Sequence, residues 1–298
     1  MAQESAIETG VREAPPRVTQ FRRFTRVFLG RGVVIFGVII IIIFLGCAIF
    51  APLIAPYDPF EQDWDNVLLQ PGAQHLLGTD SLGRDTLSRI IFGSRTAIMV
   101  GIVSLGISAS IGMLLGMVAG FFGGMSYAII MRFIDALMTM PPILLAMVIA
   151  ALLGGGLVNV MLAIGVGMMP QYARIMCGQV LSVKENDYVL AGRSIGRGAW
   201  GIMLRHVLPN CFPPMIVLMT MMIGNTILAE AGLSFLGIGI EPPTPAWGSL
   251  VNDGRMYLLT HPILSFAPGL AIMLVVFAFN MVGDGVRDAI DPRLRGVI

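Results

Sequence analysis

Five stretches of this chain carry no Asp, Glu, Lys or Arg: residues 32–57, 96–131, 136–173, 206–229 and 256–283. A helix that crosses a bilayer needs roughly 20 apolar residues. Inside lipid every backbone polar group must be satisfied within the protein. Runs of this length with this composition therefore demand membrane-spanning helices. The whole chain agrees: 12 % of its 298 residues are charged and 56 % are hydrophobic, whereas soluble domains carry about 25 % charged residues.

Two of the five stretches are too long for one span and too short for three. The first contains Phe121-Phe122-Gly123-Gly124 and the second Gly154-Gly155-Gly156. Dividing at these breakers predicts six spans near 33–55, 97–119, 127–152, 157–177, 211–232 and 263–283. Orientation follows from Lys and Arg placement. Arg12, Arg17, Arg22, Arg23, Arg26 and Arg31 precede the first span. Lys184, Arg193, Arg197 and Arg205 lie between the fourth and fifth, and Arg287, Arg293 and Arg295 follow the sixth. The loops 56–95 and 233–262 hold only Arg84, Arg89, Arg95 and Arg255. This bias places both termini and the 178–210 loop in the cytoplasm.

No cleavable signal peptide is expected, because Glu4, Glu8 and Glu13 occupy the region that should be basic. Residues 1–16 read as a polar tail without structure. Residues 17–31 mix Phe21, Phe24, Val27 and Phe28 with arginines. They suit an amphipathic helix on the anionic inner leaflet, or a plain basic anchor. Cys47, Cys177 and Cys211 have neither metal spacing nor a disulfide pattern and read as packing residues. In the second span Ser104, Ser108, Gly112, Gly116 and Gly120 recur every four positions. Such a stripe lets a neighbouring helix approach closely; packing is the reading preferred over a pore lining. In the third span Arg132 and Asp135 share a helix face and are expected to form an interfacial or interhelical ion pair. Glu230 ends the fifth span with no role assigned.

The segment Asp187 to Pro214, DYVLAGRSIGRGAWGIMLRHVLPNCFPP, is polar and glycine-broken between two apolar spans. Ala191, Gly196 and Leu208-Pro209 stand at the spacing of the "EAA" segment of binding-protein-dependent ABC importer permeases. Leu190, Gly192 and His206 depart from that pattern. Three further runs resemble the dipeptide/oligopeptide/nickel branch of the same family, as its C-type subunit. They are Gly78-Thr79-Asp80 with Gly83-Arg84-Asp85 before the second span, Pro242-Pro243-Thr244-Pro245 with Trp247-Gly248 after the fifth, and GDGVRDAIDPRLRG at 283–296. In the first run Gly78 and Gly83 permit turns, and Asp80, Arg84 and Asp85 can pair with one another and with turn amides.

The resemblance implies an all-α, polytopic fold of six transmembrane helices, a type I ABC importer permease-like bundle in the bacterial inner membrane. It divides the chain into a cytoplasmic tail and basic segment (1–32), a first helix with its external loop (33–95), a five-helix core (96–283) and a cytoplasmic tail (284–298). Within the core, 187–209 is the ATPase-coupling segment. Tyr188, Ala191, Gly192, Arg193, Gly196, Leu208 and Pro209 are its expected contact residues. Tyr188–Ile195 and Ala199–Leu208 are each expected to be helical, with Gly196 and Gly198 turning the chain between them. The implied partners are a homologous second permease subunit, two ATP-binding subunits carrying ATP and magnesium, an external solute-binding protein and membrane lipid; nucleic acid is not among them. Cargo in that branch is most often di- or oligopeptide, with nickel, glutathione and some sugars or opines also carried, and the sequence does not choose among them.

The residues exclude other chemistry. The single lysine, Lys184, follows Val183, so no Gly-Lys-Ser/Thr phosphate loop is present. His75, His206 and His261 are widely separated, and neither a zinc HExxH nor a Gly-x-Ser-x-Gly elbow occurs. No enzyme activity and no cofactor are expected in this chain. A proton- or sodium-coupled secondary transporter is the alternative. The absence of carboxylates and of Lys or Arg from the apolar cores of spans one, two, four and six counts against it.

Overall fold

The computed structural model describes residues 20–290, all of them helix or loop. The 1–16 tail, the start of the 17–31 segment and the end of the C-terminal tail lie outside the described residues. Helix α1 (Gln20–Leu29) is amphipathic and is followed by α2 (Gly32–Ile54). Long helices α3 (Thr86–Phe122) and α6 (Leu157–Val183) flank a shorter pair, α4 (Gly124–Leu137) and α5 (Pro142–Leu153). Beyond α6 come α7 (Asp187–Ser194), α8 (Ala199–Ile202), a π-helical turn (Met203–Val207) and α9 (Leu208–Phe235). Helices α10 (Trp247–Gly254) and α11 (Ile263–Ile290) complete the described fold.

Five helices are long and apolar enough to cross a membrane: α2, α3, α6, α11 and the run Ala199–Phe235. The third expected span is not one helix. It is α4 and α5, bent by 85° at their junction. The cause is local. Pro141 and Pro142 supply no N–H to the preceding turn, and each disfavours helical geometry in the residue before it. Counted as one broken crossing, the pair brings the total to six.

The bundle is built on the contact between α3 and α6. The small-residue stripe of α3 makes it possible. A Cβ at Gly112 would stand 2.6 Å from Tyr172 Cβ, and one at Gly116 would stand 2.9 Å from Met176 Cβ. Ser104 Oγ, on the same stripe, donates to the carbonyl of Met161 at 3.0 Å. The stripe is therefore packing, as its spacing predicts. A second layer joins α2, α9 and α11, where Gly37 lies on α11 beside Ala278 and Gly224 beside Phe279. Cys47, Cys177 and Cys211 are free thiols.

The two ends of the bundle differ. At one end the 55–85 loop folds over the start of α3. Asp85 caps that helix by accepting from the Ser88 backbone N–H (2.8 Å) and Ser88 Oγ (2.7 Å), and its other oxygen meets His75 Nδ1 at 2.9 Å. Asp80 binds Arg84 Nε at 2.7 Å and accepts from the backbone N–H groups of Leu82 and Arg84. This is the pairing expected of that run. Arg89 is buried and donates to the carbonyl of Pro59, and the Trp247 indole donates to that of Ile90. Glu230 is buried near this end and accepts from Ser234 Oγ at 2.7 Å.

At the other end, Phe28 of α1 and Val34 of α2 close on Gly285 of α11, and Arg31 pairs with Asp288. The α6–α9 connection lies at this end too, where Lys184 Nζ donates to the carbonyl of Gly120 at 3.1 Å.

Candidate functional site

The 187–209 segment forms an elbow with an anchored inner side and an open outer side. Its first arm, α7, begins after Asn186, whose carbonyl accepts from the N–H groups of Val189 and Leu190. The arm ends in a Schellman motif. The Gly196 N–H donates to the carbonyl of Arg193 at 3.0 Å, and the Arg197 N–H donates to that of Gly192 at 3.2 Å. Gly196 occupies the left-handed position with φ +78°, a conformation that glycine adopts without the penalty a Cβ brings. The turn expected at Gly196 is thus present, with its hydrogen bonds defined. A Cβ at Gly196 would meet nothing within 4 Å inside this chain. What the chain itself needs there is the backbone conformation.

The second arm departs from expectation. Helix α8 does not end at Leu208 as a separate short helix; it runs through the π turn directly into α9. Pro209 cannot donate to a carbonyl four residues back, and a π turn absorbs such a mismatch without breaking the helix. The Leu208 N–H bonds instead to the carbonyl of Met203. Leu208 and Pro209 therefore lie about 13 Å along the helix from Ala199, at 1.5 Å per residue. They lie on the helix that continues into α9, away from the turn at Gly196.

The inner side is apolar and packed. Val189, Ile202, Met203 and Val207 are fully buried and join Phe121, Met176 and Val180 in one cluster. Gly192 is buried because Ile202 lies over it. Arg193 stacks on the Phe121 ring at 5.7 Å, and Trp200 meets Phe122 edge-on. These contacts tie the elbow to the ends of α3 and α6. Val189, Ile202 and the Phe121-Phe122 pair were not singled out as site residues in the sequence. For Val189 and Ile202 the signal is an apolar residue within a polar loop, and for Phe121-Phe122 it is their place at the end of an apolar run.

The outer side is apolar and uncovered. Ile195 is 79 % exposed and Trp200 61 %, with Tyr188, Leu190 and Leu204 also open. Around them stand Arg193, Arg197 and Arg205, all exposed, with Arg197 held against His206. Asp187 and Glu185, also exposed, stand at the start of the first arm; exposed apolar side chains rimmed by charged ones are the surface signature of a protein interface. Among the described residues no group of three or more His, Cys, Asp or Glu is placed to hold a metal.

The Arg132–Asp135 pair is corrected by the structure. Asp135 pairs across the helix boundary with Arg174 of α6. Arg132 is exposed, and no ion pair or hydrogen bond of its side chain occurs among the described residues. Residues three apart on one helix share a face, but the opposed helix offers the better-placed cation.

A membrane bundle of five long helices and one broken pair, with a buttressed polar elbow between two spans, defines an importer-type membrane component. The chain belongs to the family of binding-protein-dependent transport system inner membrane components, which it matches over residues 112–296. Residues 19–71 match the N-terminal transmembrane domain of oligopeptide transport permease C. The chain is 40 % identical over 278 residues to the glutathione transport system permease protein GsiD of Pectobacterium atrosepticum, covering 93 % of this chain and 92 % of that protein. It is 43 % identical over 265 residues to the di/tripeptide transport system permease protein DppC of Pseudomonas aeruginosa, covering 87 % and 88 %. It is 42 % identical over 277 residues to GsiD of Escherichia coli O157:H7, covering 93 % and 90 %. The protein is thus a multi-pass membrane permease subunit of the ABC importer class.

Proposed function

We propose that the chain passes small peptides from an external solute-binding protein to the cytoplasm as one half of a permease heterodimer driven by two ATP-binding subunits. ATP and magnesium belong to those subunits. Both termini and the elbow face the cytoplasm, the side that the arginine bias assigns to them. The observation that carries the reading is the uncovered apolar tip, Ile195 with Trp200 and Tyr188, on a base buttressed against α3 and α6. An ATPase seated on that tip moves the elbow, and the buried Val189–Ile202 contact with Phe121 passes the motion to the two longest-packed helices. Ala191, Gly192, Arg193 and Gly196 shape the tip, while Leu208 and Pro209 form the hinge-side root of α9. The named cargoes of the relatives, glutathione and di/tripeptides, support a small peptide as solute.

The test is co-purification of the complete complex with Ile195→Asp. A charge in the apolar contact is expected to strip the ATP-binding subunits while the permease remains in the membrane at normal level. Uptake of radiolabelled dialanine and glutathione is then abolished. Full retention of the ATPases with normal uptake would remove the elbow tip from the interface.

A further inference from the structure

An apolar groove runs between α9, α10 and α11. It encloses about 550 Å³, and Phe235, Val251, Gly269, Met273, Val276 and Asn280 are among the residues that line it. Of the described lining side chains, Asn280 alone is polar. Gly269 keeps the groove open, because a Cβ there would meet nothing within 4 Å. The α10 wall is fixed in place. A Cβ at Gly248 would stand 2.1 Å from the carbonyl oxygen of Ala231, and one at Gly254 would stand 2.6 Å from Ser265 Oγ. Helix α10 is therefore seated tightly on both α9 and α11, and the groove is preformed.

Two features point to its occupant. The first is length. From Gly269 to Asn280 the groove follows α11 for about 16 Å at 1.5 Å per residue. That is about half of the roughly 30 Å hydrocarbon core, the depth of one leaflet. The second is charge at one mouth. Arg255 stands one turn on from Val251, and its guanidinium lies over the ring of Phe235, 5.7 Å from the centroid. Its side chain has no ion pair or hydrogen bond among the described residues. Stacking uses the face of the guanidinium and leaves its N–H edge for a bidentate acceptor such as a phosphate. Arg255 is also the last charge before the charge-free run 256–283. Met256, Leu258 and Leu259, next to it, are exposed. A cation beside uncovered apolar side chains, at the start of a spanning run, suits the boundary between headgroups and acyl chains.

We infer that this groove is a phospholipid site: one acyl chain lies along α11 from Gly269 to Asn280, and Arg255 holds the lipid phosphate. The phosphate end is the end of the bundle that carries the 55–85 loop. The orientation proposed above puts that end in the outer leaflet.

The test uses the complete complex in liposomes that contain phosphatidylglycerol with a diazirine at the tip of one acyl chain. Irradiation is expected to place lipid adducts on Val276 and Asn280 in excess of those on Phe36, an exposed α2 residue that reports bulk lipid. Gly269→Leu fills the groove from a position where a Cβ has free space, and should abolish the excess. Arg255→Gln should lower it about fivefold at limiting lipid, and Arg255→Lys should restore most of it. Constant Phe36 adducts and an unchanged melting temperature are expected in all three variants. Groove adducts no more frequent than those on Phe36, or unchanged by both Gly269→Leu and Arg255→Gln, would overturn the site. So would p-benzoylphenylalanine at Met273 that cross-links to the partner permease subunit and to no lipid. Groove adducts in a complex whose Thr244→Cys labels only from the cytoplasmic side would keep the phospholipid and refute the outer leaflet.

Discussion

Replacing Gly196 separates two ways in which a turn can matter. The residue sits at φ +78° with open space around its missing Cβ. Within this chain, then, an added methyl group strains the backbone without a clash. The left-handed conformation costs an ordinary L-residue about 1–2 kcal/mol. A free elbow with Ala at this position relaxes out of the Schellman geometry, whereas a docked one must hold it. Binding of the ATP-binding subunits should therefore weaken between about fivefold and thirtyfold in Gly196→Ala. Asparagine tolerates the left-handed region, so Gly196→Asn should bind within about twofold of wild type if conformation alone is at stake. Gly196→Asp shares most of that tolerance but adds charge beside an apolar contact, and should lose uptake while reaching the membrane normally. The assay is titration of the ATP-binding subunits onto permease heterodimer in nanodiscs. Equal weakening by Asn and Ala would refute the conformational argument and show that the ATPase surface itself touches the glycine.

Other outcomes follow from the same geometry. Single cysteines at Asp63 and Thr244 should label with an impermeant thiol reagent in intact cells and one at Arg193 should not; the reverse pattern would invert the topology. Gly116→Leu places atoms where Met176 Cβ and the Cys177 backbone N–H already stand, each 2.9 Å from an ideal Cβ. Overpacking of this kind costs about 1–3 kcal/mol or more, read as a lower unfolding temperature of the purified complex, with Gly106→Leu, which meets nothing within 4 Å, as the unaffected control. Asp85→Ala removes the α3 cap together with the Ser88 and His75 bonds, and should destabilise the complex by about 2–3 kcal/mol in the same melt. Purified without partners, the chain should hydrolyse no ATP above background, since it lacks the Gly-Lys-Ser/Thr loop.

Much of the architecture is carried by local signals. Charge-free runs force spanning helices whatever the neighbours are, because lipid supplies no hydrogen bonds. A four-residue stripe of small side chains implies a close helix contact, and α6 fills it. Gly196 announces a left-handed turn because few other residues adopt one. The Pro141-Pro142 pair is equally local, yet the expected span over 127–152 runs through it, and the structure shows the break there.

Pairing was another matter. Arg132 and Asp135 are neighbours on one helix, yet Asp135 binds Arg174, 39 residues away. A one-dimensional spacing cannot know which helix lies opposite. The same holds for Val189 and Ile202, which read as ordinary apolar residues in a polar loop until packing sets them against Phe121. The second arm of the elbow also depends on context: the π turn joins Ala199–Ile202 to α9 without a break, so Leu208 and Pro209 stand along one continuous helix and not at the Gly196 turn. Sequence alone marks most of the spanning helices and the Gly196 turn, since those limits come from the backbone and the bilayer, but not the 85° bend within the third expected span. The tertiary contacts decide which charges pair and which apolar side chains stay uncovered, since each depends on the element that arrives from elsewhere in the fold.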